Sequence, residues 1–393
     1  MSREETFYNM ETPSLLIEQE ILESNLKKMS KLAQKSGISL RPHAKTHKCL
    51  EIGKKQIEYG AIGLTLAKTS EAMPFADNGF TDLFLAYPAV GPKKIGRLVE
   101  LSKKCKISIG VDSEANAVEL NRAFESASKK LPILLEVNTG LSRTGAGMDQ
   151  ALEMAAKISQ LAHLELKGIY TYRGALLAGI SGNVSDFELK QIVDQQGREE
   201  AEIMGKLAQQ LRNAGFRIDV VSAGSTPTAA SVVNAAGLTE IRPGTYVFND
   251  AMQVRLGACS WQECAAKVLV TVVSRPAPDR AIIDAGTKVF AGDSKPDSPP
   301  LNLRGCATVT DSAGNPRTDI LFERMTEEHG MLKLSGSAAM NLRIGEKLLI
   351  VPNHVCTTVN LFDNLTIVSK LDGNAQTLDV ENSWKVAARG RVQ

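Results

Sequence analysis

Two short stretches of the chain combine residue types that could do chemistry. Residues 41–48 read Arg-Pro-His-Ala-Lys-Thr-His-Lys, which places Lys45 directly after an apolar run typical of a buried strand. Alternate residues of an extended segment share a face, so Arg41, His43 and Lys45 should point the same way. We expect charge repulsion and desolvation to lower the pKa of Lys45 there. A neutral amine can form a Schiff base, although a salt-bridged lysine after a strand would give the same pattern.

The second stretch lies near the other end of the chain. His354 and Cys356 are two positions apart at the end of an apolar run, and on a strand they would share one face. An imidazole nitrogen and a thiolate together suit Zn²⁺. A lone His-x-Cys is more often a pair of packing residues, so by itself this spacing indicates only a candidate metal pair.

The composition is that of a globular protein. A chain of 393 residues is too long for one ordinary core, so two domains are expected. Its 46 basic residues nearly balance 44 acidic ones without a basic block, which argues against a nucleic-acid partner. The polar N-terminus does not resemble a signal peptide, and no run of about 18 apolar residues predicts a membrane span. Six cysteines without paired spacing favour reduced thiols in the cytoplasm.

Short apolar runs alternate with amphipathic segments between residues 15 and 257. Strands alternating with helices imply parallel pairing, and eight repeats match a closed barrel. An open doubly wound sheet is the alternative, but the glycine-rich turn that usually follows its first strand is absent. The predicted strands are 38–43, 61–67, 82–86, 106–111, 132–137, 166–171, 219–223 and 240–246. The predicted helices include 71–78, 92–104, 114–125 and one that ends near Gly37.

After about residue 258 the pattern changes to β-branched runs separated by turn residues. Strands are predicted at 267–274, 281–284, 347–351 and 365–368, and a loop at 294–300. The fold class is therefore α/β. A (β/α)8 TIM-type barrel is expected at 12–257, followed by a smaller β-rich domain at 258–385 with which residues 1–11 could pack.

Glycine and hydroxyl residues follow the seventh and eighth predicted strands. They are Gly224, Ser225, Thr226, Gly244 and Thr245. Loops at these two positions of a barrel commonly bind a phosphate through backbone N–H groups. Tyr246 could add its phenol to such a site or simply pack.

These stretches resemble the D-threonine aldolase and D-serine dehydratase family, pyridoxal-phosphate enzymes of alanine-racemase fold type III. The matching motifs are 12–13, 41–48, 142–145, 221–228, 242–248, 328–330 and 352–356. The resemblance implies that Lys45 binds pyridoxal 5'-phosphate. His47 is a candidate general base or orienting residue. Arg143 would face the cofactor's phenolate or the substrate carboxylate, Tyr172 would line the cofactor, and Arg242 would lie near the pyridine nitrogen if it points inward.

The same resemblance implies that His354 and Cys356 chelate a divalent metal, with zinc favoured and manganese or magnesium as alternatives. Cysteine at the second position is typical of the dehydratase branch. Residues 170–174, Tyr-Thr-Tyr-Arg-Gly, resemble the aldolase branch instead.

The function that follows is a metal-dependent lyase for D-β-hydroxy-amino acids. The D-threonine aldolase type is expected, with a D-serine or D-threo-3-hydroxyaspartate dehydratase type as the alternative. A non-catalytic pyridoxal-phosphate carrier and a racemase are further alternatives, although neither needs a metal pair. The fold type also implies a homodimer whose active site is completed at the subunit interface.

Overall fold

The computed structural model describes residues 3–6, 9–180, 182–292, 298–369 and 377–393. Of the predicted loop 294–300, residues 294–297 lie outside the described residues. The strands are β1 (Arg3–Thr6), β2 (Ser14–Glu18), β3 (Ser39–Leu40), β4 (Leu64–Leu66), β5 (Asp82–Leu85), β6 (Lys106–Val111), β7 (Leu131–Glu136), β8 (Leu164–Tyr170), β9 (Val220–Ala223), β10 (Glu240–Ile241), β11 (Ala266–Ala277), β12 (Arg280–Ile283), β13 (Ala307–Thr310), β14 (Ile320–Met325), β15 (Gly330–Leu334), β16 (Lys347–Pro352), β17 (Asn364–Val368) and β18 (Thr377–Lys385).

The α-helices are α1 (Gln19–Lys35), α2 (Leu50–Glu58), α3 (Thr69–Asp77), α4 (Pro92–Lys104), α5 (Glu114–Ser126), α6 (Ala151–Ser159), α7 (Asp186–Asn213), α8 (Ala229–Val232), α9 (Ala251–Arg255), α10 (Thr287–Phe290), α11 (Gly336–Asn341) and α12 (Val355–Val359). Short 3-10 helices lie at Ala44–Thr46, Thr245–Val247 and Trp261–Glu263. None of the helices in the described ranges is both long enough and apolar enough to cross a membrane.

Strands β3 to β10 form one parallel sheet in the order β3-β10-β9-β8-β7-β6-β5-β4. The two ends of this order are bridged between His43 and Thr65. Ile62 N donates to Leu40 O at 2.9 Å and Thr65 N donates to Pro42 O at 2.8 Å. The sheet therefore closes into the predicted barrel, and its strands all end at the same rim, where barrel enzymes carry their active sites.

The first and last barrel strands are shorter than predicted. The apolar runs 38–43 and 240–246 contain only the two-residue strands β3 and β10. Pro42 and Pro243 lie just beyond these strands, and proline has no N–H to continue a ladder. The residues after each proline are therefore available to form the rim.

Apolar and aromatic side chains from three barrel strands pack together. Phe84, Leu134 and Tyr170 form one buried cluster. The rings of Phe84 and Tyr170 meet edge to face, with centroids 5.1 Å apart. A Cβ at Gly110 would lie 2.0 Å from the Tyr170 hydroxyl oxygen, so only glycine leaves room for this ring in β6.

The second sheet has ten strands. Its main order is β1-β18-β17-β2-β11-β12-β15-β14, and β16 pairs with both β11 and β13. The predicted β-rich second domain is therefore confirmed. Strands β13, β14 and β15 were not predicted because they are short and contain polar residues beside their apolar ones, so none forms a long apolar run.

The chain divides into two compact units. One unit comprises Met1–Lys27, Leu177–Lys190 and Thr245–Arg389, and the other comprises Lys28–Leu176, Gln191–Gly244 and Gly390–Gln393. Compared with the predicted boundaries 12–257 and 258–385, this division places 12–27, 177–190 and 245–257 with the second sheet. The physical reason at the N-terminal end is that β2 pairs antiparallel with β11 and parallel with β17.

A buried ion pair joins two strands of the second sheet. Glu18 in β2 and Lys267 in β11 are only 3% and 1% exposed, and their charged groups form a hydrogen-bonded salt bridge. Because a lone buried charge is costly, each residue needs the other.

We predict that Gly168→Ala destabilises the barrel. A Cβ at Gly168 in β8 would lie 1.9 Å from Val220 O in β9, so the backbones would have to separate. Overpacking of this kind costs about 1–3 kcal/mol. Urea denaturation measures the loss, and a Gly168→Ala protein as stable as the parent would contradict the prediction.

Gly96→Ala is the matched control. Gly96 lies within α4, and a Cβ there would meet no atom within 4 Å. This substitution should stabilise the protein by up to about 1 kcal/mol, because alanine favours a helix interior over glycine.

Candidate active site

Lys45 lies at the rim of the barrel, in the short 3-10 helix that follows β3. His43 caps this helix, since its Nδ1 accepts from Lys45 N at 3.4 Å. The loop after β10 packs against the same turn: His43 N donates to Pro243 O at 2.9 Å. A Cβ at Gly244 would lie 3.0 Å from both His43 O and the Thr46 hydroxyl. The absence of a side chain at Gly244 therefore lets the first and eighth rim loops meet around Lys45.

Two positive side chains lie against one aromatic ring. Lys45 Nζ is 5.6 Å from the centroid of the Tyr172 ring, and Arg143 Cζ is 4.9 Å from it. Such distances are those of cation–π contacts. Tyr172 is 39% exposed, so its ring is accessible to a ligand. The structure thus brings together three of the predicted site residues, from the rims of β3, β7 and β8.

Buried and half-buried acids support the loop that carries Arg143. Glu136, the last residue of β7, accepts from the Thr144 hydroxyl at 2.7 Å and from the Tyr170 hydroxyl at 2.8 Å. Asp112, after β6, accepts from Gly145 N at 3.3 Å. The sequence analysis missed both acids, and the available signal was an acidic residue at the end of an apolar strand.

Arg242 points into the barrel. It is 6% exposed, and its guanidinium donates to the Ser222 hydroxyl and, at 2.5 Å, to Thr171 O. The Arg242 Cζ is also 5.2 Å from the centroid of the Tyr170 ring. Burial lowers the pKa of Arg242, although negative charge on Glu240 and other groups opposes the shift. Arg242 therefore braces the ends of β8 and β9 from inside.

The loop after β9 is held largely by its own residues. Gly224 has a φ of +84°, a conformation that favours glycine. Both Ser225 N and the Ser225 hydroxyl lie 3.0 Å from the Thr228 hydroxyl. Thr226 is half-buried at the turn. The loop thus has a defined shape at the rim, with hydroxyl groups on three of its residues.

Glu200 in α7 holds the loop after β8 and was not predicted from the sequence. Its Oε1 accepts from Arg173 N at 3.0 Å. Burial raises its pKa to about 7, although this bond, the Gly224 backbone and nearby arginines oppose the rise. An acid on the buried face of an amphipathic helix was the only signal in the sequence.

The predicted metal pair does not lie on a strand. That placement was wrong, because β16 ends at Pro352 and His354 is the N-cap residue of α12, with Cys356 in its first turn. The chain leaves the sheet because Val355 N is taken by the Asp250 carboxylate, at 2.9 Å, instead of by a strand partner. His354 and Cys356 therefore do not share a strand face.

Asp250 organises the region of the metal pair. One of its oxygens caps α9 by accepting from Gln253 N at 2.9 Å, while the other holds Val355, between the two candidate ligands. Burial raises the pKa of Asp250 to about 6, and the N–H bonds and the charge of His354 oppose the shift. Its position before a helix, where aspartate is a favoured cap, was the available sequence signal.

Thr245 approaches the same pair, with its hydroxyl oxygen 3.7 Å from Cys356 Sγ. Within the described part of the chain, no three His, Cys, Asp or Glu side chains are grouped so that they could hold a metal. A metal at His354 and Cys356 would therefore need water or substrate to complete its shell.

His47 and Tyr246 are both buried. The Nδ1 of His47 accepts from Cys49 N at 3.1 Å, at the start of α2. Burial lowers the pKa of His47 to about 4, so its imidazole is neutral at neutral pH. Tyr246 is 4% exposed within the 3-10 helix that follows Gly244. Both side chains are therefore shielded from solvent.

Two protein-family models match successive parts of the chain. Residues 17–251 match the model of the alanine racemase N-terminal domain, and residues 265–368 match a serine dehydratase domain. A D-threonine aldolase from Arthrobacter sp is 32% identical, with the match covering 97% of this chain and 93% of the relative. A D-threo-3-hydroxyaspartate dehydratase from Delftia sp. is 29% identical, with 97% and 100% covered.

A solved structure is similar over nearly the whole chain. D-threonine aldolase from Filomicrobium marinum superimposes with a TM-score of 0.83 at 29% identity, covering 98% of this chain and 97% of that one. The family model covers more than half of the chain, and the relatives span nearly all of it. The chain therefore belongs to the D-threonine aldolase and D-serine dehydratase family of alanine-racemase-like enzymes.

Proposed function

We propose that this chain is a pyridoxal-phosphate- and metal-dependent lyase that cleaves D-β-hydroxy-amino acids to glycine and an aldehyde, as a D-threonine aldolase does. The observation that carries the proposal is the arrangement at the barrel rim, where Lys45 and Arg143 flank the accessible Tyr172 ring. The similarity to the Arthrobacter aldolase over nearly the whole chain supports the same reaction.

The residues at the rim suit pyridoxal 5'-phosphate. When bound, this cofactor withdraws electrons from the bond that breaks at the substrate Cα. Lys45 would hold it covalently, and the loops 224–226 and 244–246 would hold its phosphate through N–H and hydroxyl groups. Arg143 and Tyr172 would lie beside it. Arg242 would support the site from within the barrel, where it is already held by Ser222 and Thr171.

The donor set of His354 and Cys356 suits a divalent metal, with zinc favoured and manganese or magnesium as alternatives. A metal there would act as a Lewis acid toward the substrate's β-hydroxyl. Solved structures of D-threo-3-hydroxyaspartate dehydratase support this assignment by analogy. They include a histidine-to-alanine variant and a cysteine-to-alanine variant in the metal-free form, and the two substituted positions are two apart, as they are here.

Two residues of this chain could move protons during the reaction. Aldol cleavage needs a base for the substrate's β-hydroxyl, whereas dehydration needs a base for the proton on Cα. Lys45 can serve at Cα once its amine is released. His47 is the other candidate, but its buried Nδ1 already accepts from Cys49 N and burial lowers its pKa to about 4, which supports the orienting alternative.

A dehydratase acting on D-serine or D-threo-3-hydroxyaspartate is the second candidate. Cys356 favours it, because a cysteine two positions after the histidine is typical of the dehydratase branch. The Delftia relative is a D-threo-3-hydroxyaspartate dehydratase. Cys356 is held close to Thr245, which gives the thiol a defined position. The two candidates share every residue named above, so only their products separate them.

The two reactions are separated by product analysis. With D-threonine and added Zn²⁺ or Mn²⁺ we expect glycine and acetaldehyde as the main products, and little ammonia. Ammonia and a 2-oxo acid released from D-serine or D-threonine, without glycine, would show the dehydratase instead. Absence of any turnover by the metal-loaded protein would favour a non-catalytic carrier.

We predict that borohydride fixes the cofactor onto Lys45. Reduction turns the covalent bond between the cofactor and an amine into a permanent one, so peptide mass spectrometry can locate it. The modification should fall on Lys45 and be absent from a Lys45→Ala variant. Finding it on Lys48 or Lys68 of the parent protein would overturn the assignment.

We predict that His354→Ala and Cys356→Ala each abolish metal-dependent turnover while retaining bound cofactor. A site with two protein ligands has little redundancy, so losing one should weaken metal binding by at least about tenfold. Metal content after dialysis and the visible absorbance of the cofactor measure the two effects separately. Cys356→Asp replaces a soft donor with a hard one and should shift the preference toward Mn²⁺ or Mg²⁺.

Cys306→Ala is the matched control, because this cysteine also lies in the second sheet's unit and its thiol donates to the Glu323 carbonyl at 3.7 Å, away from the candidate metal ligands in the sequence. It should leave metal content and turnover unchanged. Alanine variants at His354 and Cys356 that turn over substrate like the parent would show that the pair does not hold the metal.

We also propose a cytoplasmic homodimer with the active site completed at the interface. All six cysteines lie in described segments and are thiols, not disulfides, which suits a reducing compartment. The dimer rests on the resemblance to fold type III enzymes.

A further inference from the structure

A chain of polar contacts crosses the interior of the barrel. It begins at Asp82, whose carboxylate is 2.5 Å from an Arg41 guanidinium nitrogen. Arg41 Nε donates to Glu240 Oε2 at 2.7 Å, and the Ser222 hydroxyl donates to Glu240 Oε1 at 2.6 Å. Arg242 then donates to the Ser222 hydroxyl oxygen. The contacts therefore run without a break from the start of β5 to the guanidinium of Arg242 at the rim.

The inner members of this chain are removed from water. Glu240 is 3% exposed, Ser222 is fully buried and Arg242 is 6% exposed. The carboxylate of Glu240 lies between two guanidinium groups, one in direct contact and one reached through the hydroxyl. Since uncompensated buried charges are costly, Glu240 balances positive charge at a place where no solvent can do so.

The direction of each hydrogen bond in the chain is determined by donor chemistry. A guanidinium has only donors, so the Ser222 hydroxyl must accept from Arg242. Its single proton is then left for an acceptor, which is Glu240 Oε1. Arg41 likewise needs an acceptor at Glu240 Oε2. Only a residue with two acceptor oxygens satisfies both neighbours, and glutamine at this position would present an N–H₂ group to one of them.

Arg242 in turn braces the part of the rim proposed to hold the cofactor. Its second guanidinium nitrogen donates to Thr171 O, the residue before Tyr172. Ser222 lies two residues before Gly224, where the proposed phosphate loop begins. The Arg242 guanidinium therefore contacts the ends of both β8 and β9.

We propose that Glu240 is a positioning residue for the cofactor site, acting through the Ser222 hydroxyl to hold the Arg242 guanidinium in place. The inference rests on the proposed function, in which the rim around Lys45 binds pyridoxal phosphate. Arg41, in the motif that also carries Lys45, has the related role of holding the far oxygen of Glu240.

The test is a double-mutant cycle on cofactor affinity. Ser222→Ala removes the relay, Glu240→Gln removes the double acceptor, and a third protein carries both changes. Each apo protein is titrated with pyridoxal phosphate, with binding followed by visible absorbance and thermal unfolding measured alongside. Each single variant should bind the cofactor about tenfold more weakly, as expected for losing a hydrogen bond to a charged group. Because the two residues act through one path, the double variant should be no weaker than the weaker single variant.

Glu18→Gln is the matched control. It also removes a buried carboxylate that is paired with a cation, but in the second sheet. It should lower the unfolding temperature and leave the affinity for pyridoxal phosphate unchanged.

Two outcomes would overturn the positioning role. One is a Glu240→Gln or Ser222→Ala protein that loses thermal stability but binds the cofactor like the parent. The other is a double variant whose loss equals the product of the two single losses, which would mean independent effects. If Glu240→Gln fails to fold, Ser222→Ala alone must still weaken binding. A parent protein without a borohydride-fixed cofactor on Lys45 would overturn the proposed function as well, whereas a normal parent with unaffected variants overturns only this inference.

Discussion

Closure of the barrel between β3 and β4 is the constraint on which the active-site rim depends. The closing hydrogen bonds are donated by Ile62 and Thr65 to carbonyl groups of Leu40 and Pro42. Lys45 follows this seam directly, so its position is set by the same backbone that closes the sheet. The loop after β10 packs against the turn that carries Lys45, because Gly244 has no side chain to separate the two loops.

The interior of the barrel carries charge as well as apolar packing. Phe84, Leu134 and Tyr170 form an apolar layer, while Arg41, Glu240 and Arg242 belong to a chain of paired polar groups. Buried polar networks of this kind are stabilising only when every member has its partner. When satisfied, they tolerate few alternative arrangements, and this gives the rim above them a defined shape.

The candidate functional side chains stand on loops and short helices beyond the strand ends, and buried acids hold several of these segments. Glu136 ties the loop of Arg143 to the Tyr170 hydroxyl, and Glu200 accepts from Arg173 N in the loop after β8. Asp250 accepts from the backbone N–H of Val355, which lies between the two candidate metal ligands. A carboxylate offers two acceptor oxygens, so one side chain can join two segments that are distant in sequence.

The sequence by itself determined the fold class, the family and the candidate residues, because alternating strand and helix patterns and short motifs are local properties. It predicted β6 and α4 to the residue. It could not show that Arg242 points inward, that Glu200 and Asp250 hold the rim loops and the metal segment, or that His354 begins a helix instead of ending a strand. Each of these depends on a hydrogen-bond partner far away in the chain, such as Ser222 for Arg242 and Asp250 for Val355. Tertiary structure decided them, because a buried polar group takes whichever partner the folded backbone brings within reach.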